Sequence, residues 1–168
     1  LEDCVLIIKA TRKDGFVKNS FDEVVDRNRR GIIILFTEKD GYKLALKNYN
    51  CFSSENEDGG NYFSPELGVI IKDSKLYLHY YHGRYGYWEY CFRYQNSDFM
   101  LIGYEASHDR GPVVLFKTSI NFLTGVEYDD ENINAYNFNA DSDDDSEIDE
   151  VFKRTVVKLK KKPLMKLS

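Results

Sequence analysis

Between residues 67 and 105 the chain repeats one pattern four times: a short run with alternating apolar side chains, then a turn former. Residues 67–72 and 75–82 are separated by Asp73-Ser74, residues 87–94 follow the turn around Gly83 and Gly86, and residues 99–105 follow Asn96-Ser97. Successive side chains of a strand point to opposite faces. Leu76, Leu78 and Tyr80 therefore share one face, and Trp88, Tyr90, Phe92 and Tyr94 share one face of the next run. Connections this short join only antiparallel neighbours. The spacing predicts an antiparallel meander and a mainly β fold, built like propeller blades or a small sandwich. Eleven of the 28 residues from 77 to 104 are aromatic. Cross-strand aromatic pairs add about 0.2–1 kcal/mol each, so the meander is expected to be the stability centre.

The flanking sequence fits the same class. Residues 4–9 read as a strand, and 32–37 with 42–48 read as a hairpin around Glu38-Lys39-Asp40-Gly41. Residues 52–65 are turn formers and read as a loop. One segment breaks the pattern. Ser20-Phe21-Asp22-Glu23 matches a capping box, Phe21, Val24 and Val25 form an apolar face, and Gly31 can close the element. A short N-terminal helix is expected over 21–29. Residues 113–117 and 119–123 add one or two strands, and 151–160 reads as a lysine-rich edge strand. With 168 residues, the chain is expected to form a single β-rich domain over 1–168.

Charge is segregated. Residues 127–150 carry eleven acids and no Lys or Arg, and 151–168 carry seven bases and no acid. The acidic stretch is expected to be a long, partly disordered loop, with the basic tail pairing against it. The rest of the chain is nearly neutral, which argues against a nucleic-acid-binding body. The longest apolar run, 32–36, is far short of the roughly 20 residues needed to span a bilayer, so no transmembrane segment is expected. The opening Leu1-Glu2-Asp3 shows no signal-like segment and no starting Met, and suggests a processed or trimmed chain. Cys4, Cys51 and Cys91 form no framework; three buried thiols is the preferred reading, and one disulfide with one free thiol the alternative.

The stretches VVDRNRRGIIILF, YKLALKNYNCFSSENEDGG, HGRYGYWEYCFRYQNSDFMLIGYE and TSINFLTG resemble a group of uncharacterised exported bacterial proteins similar to FG-GAP (VCBS-like) repeat proteins, over roughly residues 24–126. The resemblance implies a blade-like meander and a secreted, periplasmic or envelope location, and implies no particular activity. Calcium-binding repeats of that kind use an Asp-x-Asn-x-Asp-Gly loop. Here the stretch is Asp26-Arg27-Asn28-Arg29-Arg30-Gly31, with arginine in place of the third acid. A hard cation needs several oxygen ligands, so calcium is not expected there.

Few constellations carry chemistry. From Asn139, oxygen side chains recur at Asp141, Asp143, Asp145, Glu147 and Glu150, but Asp144 stands where an EF-hand requires Gly. Asp141, Asp143, Asp145 and Glu150 are thus the metal-ligand candidates, and a solvated acidic loop is the preferred reading. His79 and His82, three apart on a strand, should face opposite ways. Catalytic residues are assigned to none, and no cofactor is expected. No GxSxG or cysteine-nucleophile signature appears, and Gly59-Gly60 lies outside a strand-to-helix turn. Glu66, Glu89 and Glu105 could meet as paired carboxylates. The ligand candidates are Arg84, Tyr85, Tyr87 and Trp88 at the aromatic hairpin, with Trp88 expected buried and Tyr85 exposed. The leading reading is a non-enzymatic domain that binds a protein or glycan. The alternatives are an envelope hydrolase and a purely structural domain.

Overall fold

The computed structural model describes residues 2–57, 63–135 and 149–168. Among these residues twelve strands follow one another: β1 Cys4–Lys9, β2 Phe16–Lys18, β3 Val24–Asp26, β4 Arg30–Glu38, β5 Gly41–Phe52, β6 Glu66–Lys72, β7 Lys75–Tyr81, β8 Gly86–Gln95, β9 Asp98–Arg110, β10 Val113–Asn121, β11 Val126–Asn132 and β12 Phe152–Lys158. They form a three-stranded sheet ordered β1-β4-β5, a seven-stranded sheet in which β6 to β12 lie side by side in chain order, and a small β2-β3 pair. Every pairing is antiparallel.

The tight turns are those the alternation demands. Asp73 and Ser74, and Asn96 and Ser97, all take left-handed φ between 51° and 60°. That is the conformation of a two-residue turn matched to strand twist. At the β7–β8 turn the need for glycine is steric. Gly86 has φ 102°, and a Cβ there would collide with the Ser107 carbonyl oxygen.

Two expectations are corrected. Residues 21–29 are not a helix; among the described residues the helical turns are two 3-10 turns, Lys13–Gly15 and Gly83–Tyr85. Asn19, one position before the apparent cap, takes the amides instead. Its Oδ1 accepts from Phe21 N–H (2.9 Å) and Glu23 N–H (3.0 Å), and its own N–H donates to the Glu23 carbonyl (2.9 Å). Asparagine closes such a turn readily, Asp22 sits at φ 65°, and the β-branched Val24 and Val25 continue as a strand. Phe21 is left 82% exposed, so no apolar helix face is being buried.

The second correction concerns 127–150, whose start is strand β11 rather than loop. Asp130 lies between two cations: Lys117 is opposite it on β10 and Arg154 on β12. Arg154 donates through Nε and Nη2 to both Asp130 oxygens at 2.7 Å, and Thr118 donates to Asp129. The acidic segment and the basic tail thus meet as neighbouring strands, with β12 at the sheet edge as expected. The two expected strands over 113–117 and 119–123 are one strand, β10, which ends at Asn121 and has an irregularity between Val114 and Phe116.

The core draws on both large sheets. Ile32, Ile34, Leu46 and Phe52 from β4 and β5 cluster with Leu76, Leu78, Phe92, Phe99 and Leu101 from β7, β8 and β9. Leu167, beyond the last strand, completes this cluster. β9 extends past the end of β10, and the tail occupies the space. Leu101 N–H donates to the Met165 carbonyl (2.8 Å), and Leu167 N–H donates to the Phe99 carbonyl (3.0 Å). From the other sheet, Asn48 Nδ2 donates to the Leu167 carbonyl at 2.7 Å. One residue is therefore held by both layers.

Truncating it tests this arrangement. Leu167→Ala is expected to lower unfolding stability by about 2–5 kcal/mol, the range for emptying a buried leucine site. Met165→Ala, at a side chain 68% exposed, should change it by less than about 0.5 kcal/mol. Chemical denaturation of the two variants measures both, and equal midpoints would contradict the account.

Candidate ligand-binding face

One face of the seven-stranded sheet is used by the core, and alternation assigns the other to solvent. On that outer face the register aligns side chains in rows across the strands. Glu66, Tyr81, Tyr87, Ser107 and Lys117 form one row. Gly68, His79, Glu89, Glu105 and Ser119 form the next, and Ile70, Tyr77, Cys91 and Gly103 the third. The possible meeting of Glu66, Glu89 and Glu105 is thus realised as placement on one face, with Glu89 directly opposite Glu105.

A β-bulge decides that last pairing. Near the turn, Gln95 is opposite Asp98 and Phe92 opposite Leu101, but the register shifts between Phe92 and Cys91. Carried through unshifted, the turn's register would bring Tyr104 opposite Glu89. The extra residue puts Tyr104 on the core side, opposite Tyr90, and brings Glu105 outward. Like charges directly opposite on neighbouring strands are destabilising, so this pair is not explained by sheet stability.

The four ligand candidates do not form one cluster. Tyr87 and Trp88 are neighbours in β8 and point to opposite faces. Trp88 stacks on Tyr80 (centroids 5.1 Å apart, 13° between planes) on the core side. Tyr87 stacks on His79 on the outer face (5.2 Å, 23°). Tyr85 lies in the turn against His82, whose ring contacts Phe63 and whose Nε2 is 2.8 Å from the Phe63 carbonyl oxygen. Arg84 is exposed, and its carbonyl accepts from Gly111 N–H. Trp88 and Tyr85 are both half-buried, so the expected contrast between a buried and an exposed ring is absent.

Around Tyr87 the outer face combines aromatic rings with acids. His79 Nδ1 lies 3.3 Å from Glu89 Oε2. Burial raises the Tyr87 hydroxyl pKa, and the carboxylates of Glu105, Glu89 and Asp109 raise it further. Burial also raises the Tyr77 and Cys91 pKa values, and for Tyr77 the adjoining thiol adds to the effect. Next to the Tyr87–His79 pair, toward Tyr77, lies a shallow depression of about 440 Å³, lined by Tyr77, Glu89, Cys91, Arg93 and Glu105 among others; Tyr87 and His79 stand outside its lining. Sequence reading named Tyr87 but missed His79 as its partner; strand alternation was the signal that could have paired them.

The metal candidates Asp141, Asp143 and Asp145 lie outside the described residues. Glu150 is described, and its Oε1 accepts from Val114 N–H (3.3 Å). Asp26 and Asn28, of the calcium-like stretch, are committed to one another and to the N-terminal segment. Asn28 Nδ2 donates to Asp26 Oδ1 (2.7 Å) and to the Arg12 carbonyl (3.0 Å), and Asp26 also pairs with Lys9 (3.1 Å). The two Asn28 hydrogen bonds, backbone first, and then Lys9 hold the Asp26 carboxyl below its ordinary pKa. Cys4, Cys51 and Cys91 are free thiols of intermediate exposure. No helix among the described residues is long and apolar enough to cross a membrane.

Comparison with protein-family models, with curated proteins and with solved structures finds no match for this chain.

The core side of the same hairpin has a pH signature. Burial is the main reason the Tyr80 hydroxyl pKa rises to about 12; Arg30 and Arg29 oppose the rise, and Tyr90 and Cys51 add to it. In the unfolded chain tyrosine ionises near pH 10. The folded pKa is the higher one, so Tyr80 contributes stability that is complete below about pH 10 and lost as pH rises toward 12. Denaturation midpoints should fall across that window, and Tyr80→Phe should flatten the fall. An equally steep fall in Tyr80→Phe would show that another group controls it.

Proposed function

We propose that this chain is a non-enzymatic binding module whose outer sheet face, centred on Tyr87, holds a glycan. One observation carries the reading: the Tyr87 ring, stacked on His79, lies beside Glu89 and Glu105, which oppose each other across the β8–β9 ladder. An exposed ring face packs against the C–H face of a sugar, and carboxylates accept hydrogen bonds from its hydroxyls. The shallow depression that begins at Glu89 and Glu105, beside Tyr87, suits an extended chain lying across the strands. Arg84, Tyr85 and Phe63, at the end of the same hairpin, extend the surface. The resemblance to FG-GAP-like exported proteins supports a secreted, periplasmic or envelope setting, where such polymers are found.

The facing carboxylates favour a second reading, a glycoside hydrolase, because that chemistry uses a pair of acids flanking the bond to be broken. The two readings separate on the same ligand. A binder retains the polysaccharide and leaves its reducing ends constant. A hydrolase releases new reducing ends, and Glu89→Gln stops the release.

The test is affinity electrophoresis and calorimetry against soluble bacterial and plant polysaccharides. Tyr87→Ala should weaken binding by about tenfold or more, as expected for loss of a central aromatic contact, while the protein stays folded. Trp88→Ala, on the opposite face, should lower stability and leave affinity nearly unchanged in the folded fraction. Undiminished binding by Tyr87→Ala would refute the proposed site.

A further inference from the structure

We infer that the chain forms a two-fold dimer by pairing strand β6 with β6 of a second copy. β6 is a terminal strand of the seven-stranded sheet, and among the described residues β7 is its only neighbour in that sheet. The two-residue turn Asp73-Ser74 makes Lys72 and Lys75 a hydrogen-bonded pair, and such pairs alternate along an antiparallel ladder. Ile70, Gly68 and Glu66 therefore direct their backbone groups to β7. Leu67, Val69 and Ile71 direct theirs to the open edge.

The sequence of β6, Glu-Leu-Gly-Val-Ile-Ile-Lys, complements itself when reversed. Placing the two-fold axis at Val69 sets Val69 against the partner's Val69 and Leu67 against the partner's Ile71. Among the described residues nothing bonds to the outward N–H and C=O groups of Leu67, Val69 and Ile71, which are placed to bond across the edge. The same register sets Glu66 against the partner's Lys72, an opposite-charge pair at each end. It also sets Gly68 against the partner's Ile70. Ile70 is 53% exposed and Ile71 42% exposed, and each acquires a cross-strand neighbour. The Ile70 side chain would lie over the gap left by Gly68, where an added Cβ would meet nothing closer than 3.8 Å.

Two of the other edges contrast with this one, and the apolar edge β1, Cys-Val-Leu-Ile-Ile-Lys, lacks the opposite terminal charges that make β6 complementary to itself. β12 carries Lys153, Arg154 and Lys158, and β5 carries Lys43 and Lys47, the positive charges that discourage edge-to-edge pairing. In β6 the only charges are the terminal Glu66 and Lys72, and these attract in the reversed register. An isologous contact of this kind closes on itself and gives dimers rather than fibres. The outer faces of the two copies join into one surface, so the pairing is independent of what that face binds.

Sedimentation velocity of the full chain over a concentration series tests the inference. The wild type should move from 19.6 kDa toward twice that mass with rising concentration. Lys72→Glu places like charges opposite Glu66 at both ends and should weaken association by about tenfold, while improving the contact with Lys75 within the hairpin. Glu66→Lys combined with Lys72→Glu should restore association. A wild type that stays monomeric throughout, or a dimer indifferent to Lys72→Glu, would overturn the proposal.

Discussion

The apolar contact between the two large sheets is the constraint from which the remaining geometry follows. Ile32, Ile34 and Leu76 have no exposed surface at all, and Leu46, Phe52, Leu78, Phe92 and Leu101 are nearly as covered. Each such side chain contributes about 1.5–3 kcal/mol on burial, whereas an exposed ion pair such as Lys18–Asp22 contributes at most about 1 kcal/mol. Burying one face of β7, β8 and β9 also fixes their register, because a slip by one residue would turn the apolar set outward. Once that register is fixed, Tyr87, His79, Glu89 and Glu105 must share the opposite face. The outer face is thus a consequence of the core.

The tail and the bulge adapt this frame. Without the bulge between Cys91 and Phe92, the ladder would run unshifted to the far end of β9 and Glu105 would turn away from Glu89. Without the tail, the start of β9 would lose the Leu167 side chain from its core and a hydrogen-bonded neighbour on its outer edge. Asp98 ties the same corner to the last residue, accepting from the Ser168 hydroxyl at 2.6 Å.

The meander was legible in the sequence because its information is local. Two-residue turns at Asp73-Ser74 and Asn96-Ser97 set the pairing, and alternation set the faces. The N-terminal helix was misread because two local signals competed. Ser20 and Glu23 suit a cap, but Asn19 reaches the same amides first, and Phe21 has no apolar neighbour to reward helix formation. Strand β11 looked like loop because the partners of its acids, Lys117 and Arg154 for Asp130 and Thr118 for Asp129, lie on other strands. Leu167 was illegible for the same reason, since nothing near it in sequence marks it as core. Of the proposed site, Tyr87 was visible by residue type. Its separation from Trp88 followed from alternation, and the opposition of Glu89 and Glu105 depended on a bulge with no sequence marker of its own.

Native-state hydrogen exchange tests the central claim, that the sheet-to-sheet core fixes the register of the outer face. The slowest amides should lie in β4, β7, β8 and β9, exchanging together as one cooperative unit, with β2, β3 and β12 exchanging earlier. Protection that is highest in the β2–β3 pair, or β4 opening independently of β7–β9, would contradict it.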